Sequence, residues 1–167
     1  MDWLPLASVA LGGALGSGST LLADRLRWRR EREVRQNDLA REHADRQTAI
    51  RREIYTQYLA ALSKVRNGLR EMAHMPTVSE QDRANKIREV FLSSGAYELR
   101  FQVQLSAPAE LVVLAESVYK SLRSLRMRIE GGATFDDERY LAARDAYHLA
   151  LQNLRTAMRA DLGVDPT

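Results

Sequence analysis

The sequence predicts an all-α protein: an N-terminal transmembrane helix that continues into a charged helical stalk and then an antiparallel four-helix bundle. Three observations carry that prediction. Trp3 to Ala23 is a run of 21 residues without a charged side chain. No glycine or proline occurs between Gly18 and Gly68, so nothing there breaks a helix. From Ile50 onward, apolar residues recur every three or four positions, the period of a helix with one buried face. The chain therefore divides into a transmembrane helix (1–23), a juxtamembrane stalk (24–47), a bundle (48–162) and a short tail (163–167).

Composition narrows the field further. The 167 residues, 45% hydrophobic and 28% charged, are one domain's worth of foldable chain. With no cysteine, a disulfide scaffold, a thiolate zinc site and a cysteine nucleophile are excluded. Nine glycines and four prolines are too few for a loop-rich all-β protein. The formal charge of +3 is modest, but the charge is unevenly distributed.

The N-terminal run has the length of a membrane span. At 1.5 Å rise per residue it is roughly 31 Å of helix, about one hydrocarbon core. Its large apolar residues, six leucines and Val9, contribute roughly −2 to −4 kcal/mol to insertion, against which its glycines and serines act. A cleaved signal needs a positive n-region, yet only Met1 and Asp2 precede the run. The positive charges lie on the far side: Arg25, Arg27, Arg29, Arg30, Arg32 and Arg35 against Glu31 and Glu33. The positive-inside rule then places the N-terminus outside and the bundle in the cytoplasm. Within the span, Ser8, Gly12, Gly16 and Thr20 form a stripe of small residues on which two helices could pair. Gly13 with Ser17, and Ala14 with Gly18, offer rival stripes.

Residues 24–49 are almost entirely polar. Glu31 with Arg35, and Glu42 with Arg46, stand four apart in the favourable order. Trp28 suits an interfacial anchor, and the arginines attract anionic lipid headgroups at about 1 kcal/mol each. Acids interrupt the arginines and only one aromatic lies among them, so a lipid partner is favoured and no nucleic-acid partner is expected.

In the bundle, Ile50, Ile54, Tyr58, Leu62, Val65, Leu69 and Met72 form the first core stripe, which Met75 and Pro76 end. Ser79 with Asp82 reads as a capping box opening a second helix. Ile87, Val90, Phe91, Phe101 and Leu105 continue its apolar face. Tyr97, Leu99, Phe101, Val103 and Leu105 also alternate like a strand. A lone strand would have no partner for its backbone, so this stretch is predicted helical, with a kink at Gly95. Ser106-Ala107-Pro108 breaks the chain and places proline in the first turn of a third helix. Leu111, Leu114, Val118, Leu122, Leu125 and Ile129 supply that helix's stripe, closed by Gly131-Gly132. Thr134 with Asp137 reads as another capping box, and Tyr140, Tyr147, Leu151, Leu154 and Met158 carry the fourth helix. Helices of about 25 residues joined by short loops favour antiparallel neighbours.

This ordering resembles a loose group of uncharacterised, single-pass, membrane-anchored helical proteins of high-GC Gram-positive bacteria. The resemblance rests on the Gly/Ala-rich span, the arginine-rich exit, Arg51-Arg52-Glu53-Ile54-Tyr55, Ser106-Ala107-Pro108-Ala109-Glu110 and Met158-Arg159-Ala160-Asp161-Leu162-Gly163. The ratio of 22 arginines to three lysines agrees with a GC-rich genome. The resemblance implies an architecture and carries no activity.

Residues with chemistry are sparse. Glu71-x-x-His74 and Asp145-x-x-His148 look like halves of a di-metal bundle site. However, an antiparallel register sets His148 roughly 12 Å from the level of His74, so no metal or cofactor is expected. His43 lies on the charged stalk. Asp136, Asp137 and Glu138 suit the first turn of a helix, where the dipole favours anions. The six tyrosines read as packing. No Gly-x-Ser-x-Gly, Walker A or Gly-x-Gly-x-x-Gly motif occurs, and the chain is not expected to be an enzyme. The expectation is a membrane-anchored interaction or scaffold module that forms homo-oligomers or recruits a protein partner. The alternative is a membrane-active effector whose assembled glycine-rich spans perturb the bilayer.

Overall fold

The computed structural model describes the backbone of residues 4–75 and 79–164, and the side chains of residues 28, 31–32, 34–75 and 79–164. Five helices follow in order: α1 (Leu4–Ala73), α2 (Glu80–Ser94), α3 (Ala96–Ser106), α4 (Ala109–Glu130) and α5 (Glu138–Asp161). No strand occurs among the described residues. The chain falls into two compact units, residues 1–47 and 48–167.

In the first unit every described side chain is exposed, including Trp28, Val34 and Leu39. The Arg32 guanidinium lies 4.8 Å from the centre of the Trp28 ring, and Arg46 bridges Glu42 at 3.1 Å. Among the described residues, no helix is long and apolar enough to cross a membrane. The expected span and its stripe of Ser8, Gly12, Gly16 and Thr20 lie outside the residues whose side chains are described. So do Arg25, Arg27, Arg29 and Arg30.

The second unit is four packed helices around one core. α1 buries Tyr55, Tyr58, Leu62, Val65, Leu69 and Met72. α4 contributes Leu111, Ala115, Val118, Leu122, Leu125 and Ile129. α5 contributes Tyr140, Ala143, Tyr147, Leu151, Leu154 and Met158. Contacts fix the directions. The Tyr55 hydroxyl donates to Asp161 at 2.8 Å, Tyr147 to the Leu62 carbonyl at 3.4 Å, and the Phe135 N–H to the Ala73 carbonyl at 3.2 Å. α5 therefore runs opposite to α1. Lys64 donates to the Ser93 carbonyl at 2.8 Å and Gly68 faces Val90, so α2 also runs opposite to α1. Arg126 lies over Phe91 and Arg100 pairs with Glu116, which sets α2 and α3 opposite to α4.

The second bundle member is thus two helices in tandem. Gly95, at φ 70, takes the left-handed conformation between them, a geometry open to glycine at little steric cost. The Ser94 hydroxyl accepts the Ala96 N–H at 3.1 Å across the same bend. The 97–105 stretch is helical, as its lack of a strand partner required. Ser79 accepts the Asp82 N–H at 3.1 Å and caps α2. At the end of α4, Ala133 N–H reaches the Arg128 carbonyl and Gly132 N–H the Ile129 carbonyl, both at 3.0 Å. This is the paired closure of a Schellman motif, with Gly132 at φ 86 in the left-handed position.

Several expectations are corrected. Ile50 is 53% exposed, because it precedes the first turn that reaches the core. Phe101 and Leu105 are exposed and do not continue the core face; α3 buries Ala96 and Val103 instead. Pro108 is the cap of α4 rather than a first-turn residue, its carbonyl accepting from Leu111 and Val112. The cap of α5 is Asp137, whose carboxylate accepts the Arg139 N–H at 2.8 Å. Thr134 instead donates its hydroxyl to Asp136 within the preceding turn. α1 ends at Ala73, ahead of Met75, and Pro76 lies outside the described residues.

Candidate functional site

An α-helix turns about 100° per residue, so an alternating apolar run wound into a helix splits into two stripes. On α3 the positions of Tyr97, Phe101 and Leu105 fall within about 80° of one another. Leu99 and Val103 fall on the other side. Only one stripe can face the core. Val103 is buried and Leu99 packs against the core, whereas Tyr97, Phe101 and Leu105 are 52%, 41% and 90% exposed. The alternation itself carries the signal for this surface, since wound into a helix it puts Phe101 and Leu105 on a different stripe from Leu99 and Val103.

The exposed stripe is held in shape by one cation. The Arg100 guanidinium lies 5.5 Å from the centre of the Tyr97 ring, 5.2 Å from that of Phe101 and 4.7 Å from that of Tyr119 on α4. Attraction between the guanidinium and the ring faces restrains all three rings. Tyr97 and Phe101 also meet edge to face at 4.9 Å. Arg100 pairs with Glu116 at 3.5 Å. Beside this cluster a groove of about 580 Å³ runs between α3 and α4, with Gln104, Val113, Ser117 and Lys120 among its lining residues. Val113 is itself an exposed apolar residue. The result is a pre-oriented aromatic and aliphatic surface bordered by polar groups, which can take an apolar helix face and lose little side-chain freedom in doing so.

The other residues singled out by sequence fall elsewhere. Trp28, Arg32 and Arg35 are exposed in the first unit, and His43 is exposed there too. His74, just past the end of α1, stacks on Phe135 with ring centres 4.5 Å apart and planes 19° apart. His74 and His148 line one groove with three arginines and no carboxylate. Glu71 and Asp145 are exposed, and Asp145 pairs with Arg144 at 2.8 Å. No group of three histidine, aspartate or glutamate side chains placed to hold a metal ion occurs among the described residues. Tyr55, Tyr58, Tyr140 and Tyr147 are core residues, Tyr119 is half-buried and Tyr97 is exposed.

No family model matches this chain, and no curated protein and no solved structure matches it.

Proposed function

We propose that this chain is a membrane-anchored helical interaction module. Residues 1–23 span the bacterial inner membrane with the N-terminus outside, and residues 24–47 form a charged stalk whose arginines meet anionic headgroups. The bundle then works in the cytoplasm as an antiparallel four-helix domain. Its task is to dock an apolar helix face, from another copy of this chain or from a protein partner, onto the stripe of Tyr97, Phe101 and Leu105. The observation that carries the reading is that stripe: three large apolar side chains, four residues apart, exposed on a helix whose other face already closes the core. The 21-residue uncharged run with arginines on one side only supports the anchor and its orientation. The architecture is the one implied by the resemblance to anchored helical proteins of high-GC Gram-positive bacteria.

The test is crosslinking of the full chain in its native membranes. Phe101→Glu with Leu105→Glu places charge on the stripe without touching the buried face, so the fold should persist while crosslinking to self or partner falls. Gly12→Ile with Gly16→Ile adds bulk to the small-residue stripe and should weaken any pairing made by the span. Crosslinking unchanged in the α3 variant would end the assignment of this face.

A further inference from the structure

A second concave surface lies between α1 and α5, and its character is electrostatic. Arg66 and Arg70 stand one turn apart on α1. On α5, Arg144, His148, Arg155 and Arg159 follow at steps of four, seven and four, which keeps them on one helix face. They line two grooves of about 450 and 390 Å³ that share Arg66 and His148. No aspartate or glutamate lines either groove. Five arginines therefore gather in one trough on a chain whose formal charge is only +3.

The charge of the trough is only partly offset, since Arg144 is held by Asp145 while the α1 arginines are not engaged. The side chains of Arg66, Arg70 and Arg155 make no hydrogen bond or ion pair among the described residues. Of the acids on α5, Asp145 holds Arg144, itself a groove residue, at 2.8 Å, and Asp161 accepts from Tyr55 and pairs with Arg51 at 3.5 Å. Like charges four apart on a helix, such as Arg66 with Arg70 and Arg155 with Arg159, cost a few tenths of a kcal/mol per pair. A concave, apolar-floored surface focuses their common field. Leu125 and Tyr140 form that floor, and the stacked pair of His74 and Phe135 closes one end. The volume is that of a small-molecule site. Planar guanidinium forks match the paired oxygens of a phosphate better than an ammonium does.

We propose that the α1–α5 groove binds a phosphate-bearing ligand, with Arg66 and Arg70 gripping the phosphate oxygens. This site is independent of the α3 face. The phosphate belongs either to a free soluble compound or to a phospholipid headgroup.

The test uses the full chain in neutral detergent and titration calorimetry at constant low salt. Tripolyphosphate probes the free-ligand source. Water-soluble dihexanoyl phosphatidylglycerol probes the headgroup source, with dihexanoyl phosphatidylcholine as its zwitterionic control. Arg66→Gln with Arg70→Gln should weaken whichever probe binds by about tenfold or more. Arg88→Gln with Arg123→Gln removes the same charge from exposed positions on α2 and α4 and should leave affinity unchanged. Saturable tripolyphosphate binding lost only in the groove variant supports the site with a free ligand, and phosphatidylglycerol binding lost only there supports it with a headgroup. Binding of neither probe overturns the proposal, as does equal weakening in both variants. Retained crosslinking in the groove variant separates this outcome from the fate of the α3 face.

Discussion

Tyr58 is wholly buried, and its hydroxyl donates to the Ala115 carbonyl at 3.3 Å. Tyr147 does the same with Leu62, and Tyr55 with Asp161. Burial, with the Asp161 contact second for Tyr55, pushes all three phenols above their ordinary range. The sign follows directly. Above about pH 10 the unfolded chain releases phenolic protons that the folded chain retains, so stability falls as pH rises further. Below that range these groups contribute no slope. Urea midpoints at about pH 9 and about pH 11 should show the fall, and Tyr58→Phe should reduce it. Identical pH slopes in the two proteins would show that Tyr58 is not the group responsible. Gly68 poses a contest of two effects. Alanine there would favour the helix by about 1 kcal/mol, but its Cβ would lie 2.7 Å from both methyl carbons of Val90. Valine in a helix is confined to one rotamer, so overpacking of about 1–3 kcal/mol wins. Gly68→Ala should melt lower than the parent, and adding Val90→Ala should restore stability. A single variant that melts higher would contradict so close an approach of α1 and α2.

At the scale of elements, the bend at Gly95 decides how α2 and α3 share one place in the bundle. A Cβ at φ 70 is strained whatever space surrounds it, and none of its neighbours comes closer than 3.9 Å. Gly95→Ala should therefore cost about 1–2 kcal/mol through backbone strain alone. Gly95→Asn should cost less, since asparagine enters this region more readily. Urea denaturation distinguishes the two, and equal losses would point to packing instead. The kink itself was legible, because a glycine between two apolar runs is a ready left-handed cap. Its partition into α2 and α3 was less so, and the alternating run after it concealed which stripe turned inward. The α5 cap shows the same limit. Thr134 and Asp137 both suit a cap, and only the path of the loop after Gly132 decides between them.

For the whole molecule, the bundle should fold without residues 1–47, the N-terminal part of α1. Residues 48–167 are a compact unit with their own continuous core. Expressed alone, they should melt cooperatively as a helical domain. Leu62→Asp or Leu122→Asp, both at fully buried positions, should unfold it. An unpaired buried charge costs several kcal/mol against a total stability of about 5–15 kcal/mol. Parent-like melting of both variants would mean that the core faces are misassigned. In the full chain, the proposed orientation predicts that a reporter fused after Thr167 is active only in the cytoplasmic compartment. Activity outside the membrane would reverse the proposed topology.

The sequence by itself determined the helical class, the α4 and α5 core stripes and most of that on α1, because a 3.6-residue period with few breakers admits one solution. It also marked the Ser79 cap and the Gly131-Gly132 closure, where local chemistry satisfies the backbone regardless of the rest of the fold. Tertiary structure alone decided that Phe101 and Leu105 face outward. Both stripes of α3 are apolar, and the choice between them depends on the room that α1 and α4 leave. It alone also gathered Arg66 and Arg70 with Arg144, Arg155 and Arg159. Each is an ordinary polar-face residue on its own helix, and Arg70 and Arg144 stand 74 positions apart in the chain. A common field arises only when packing of the two apolar stripes brings the flanking charges onto one groove.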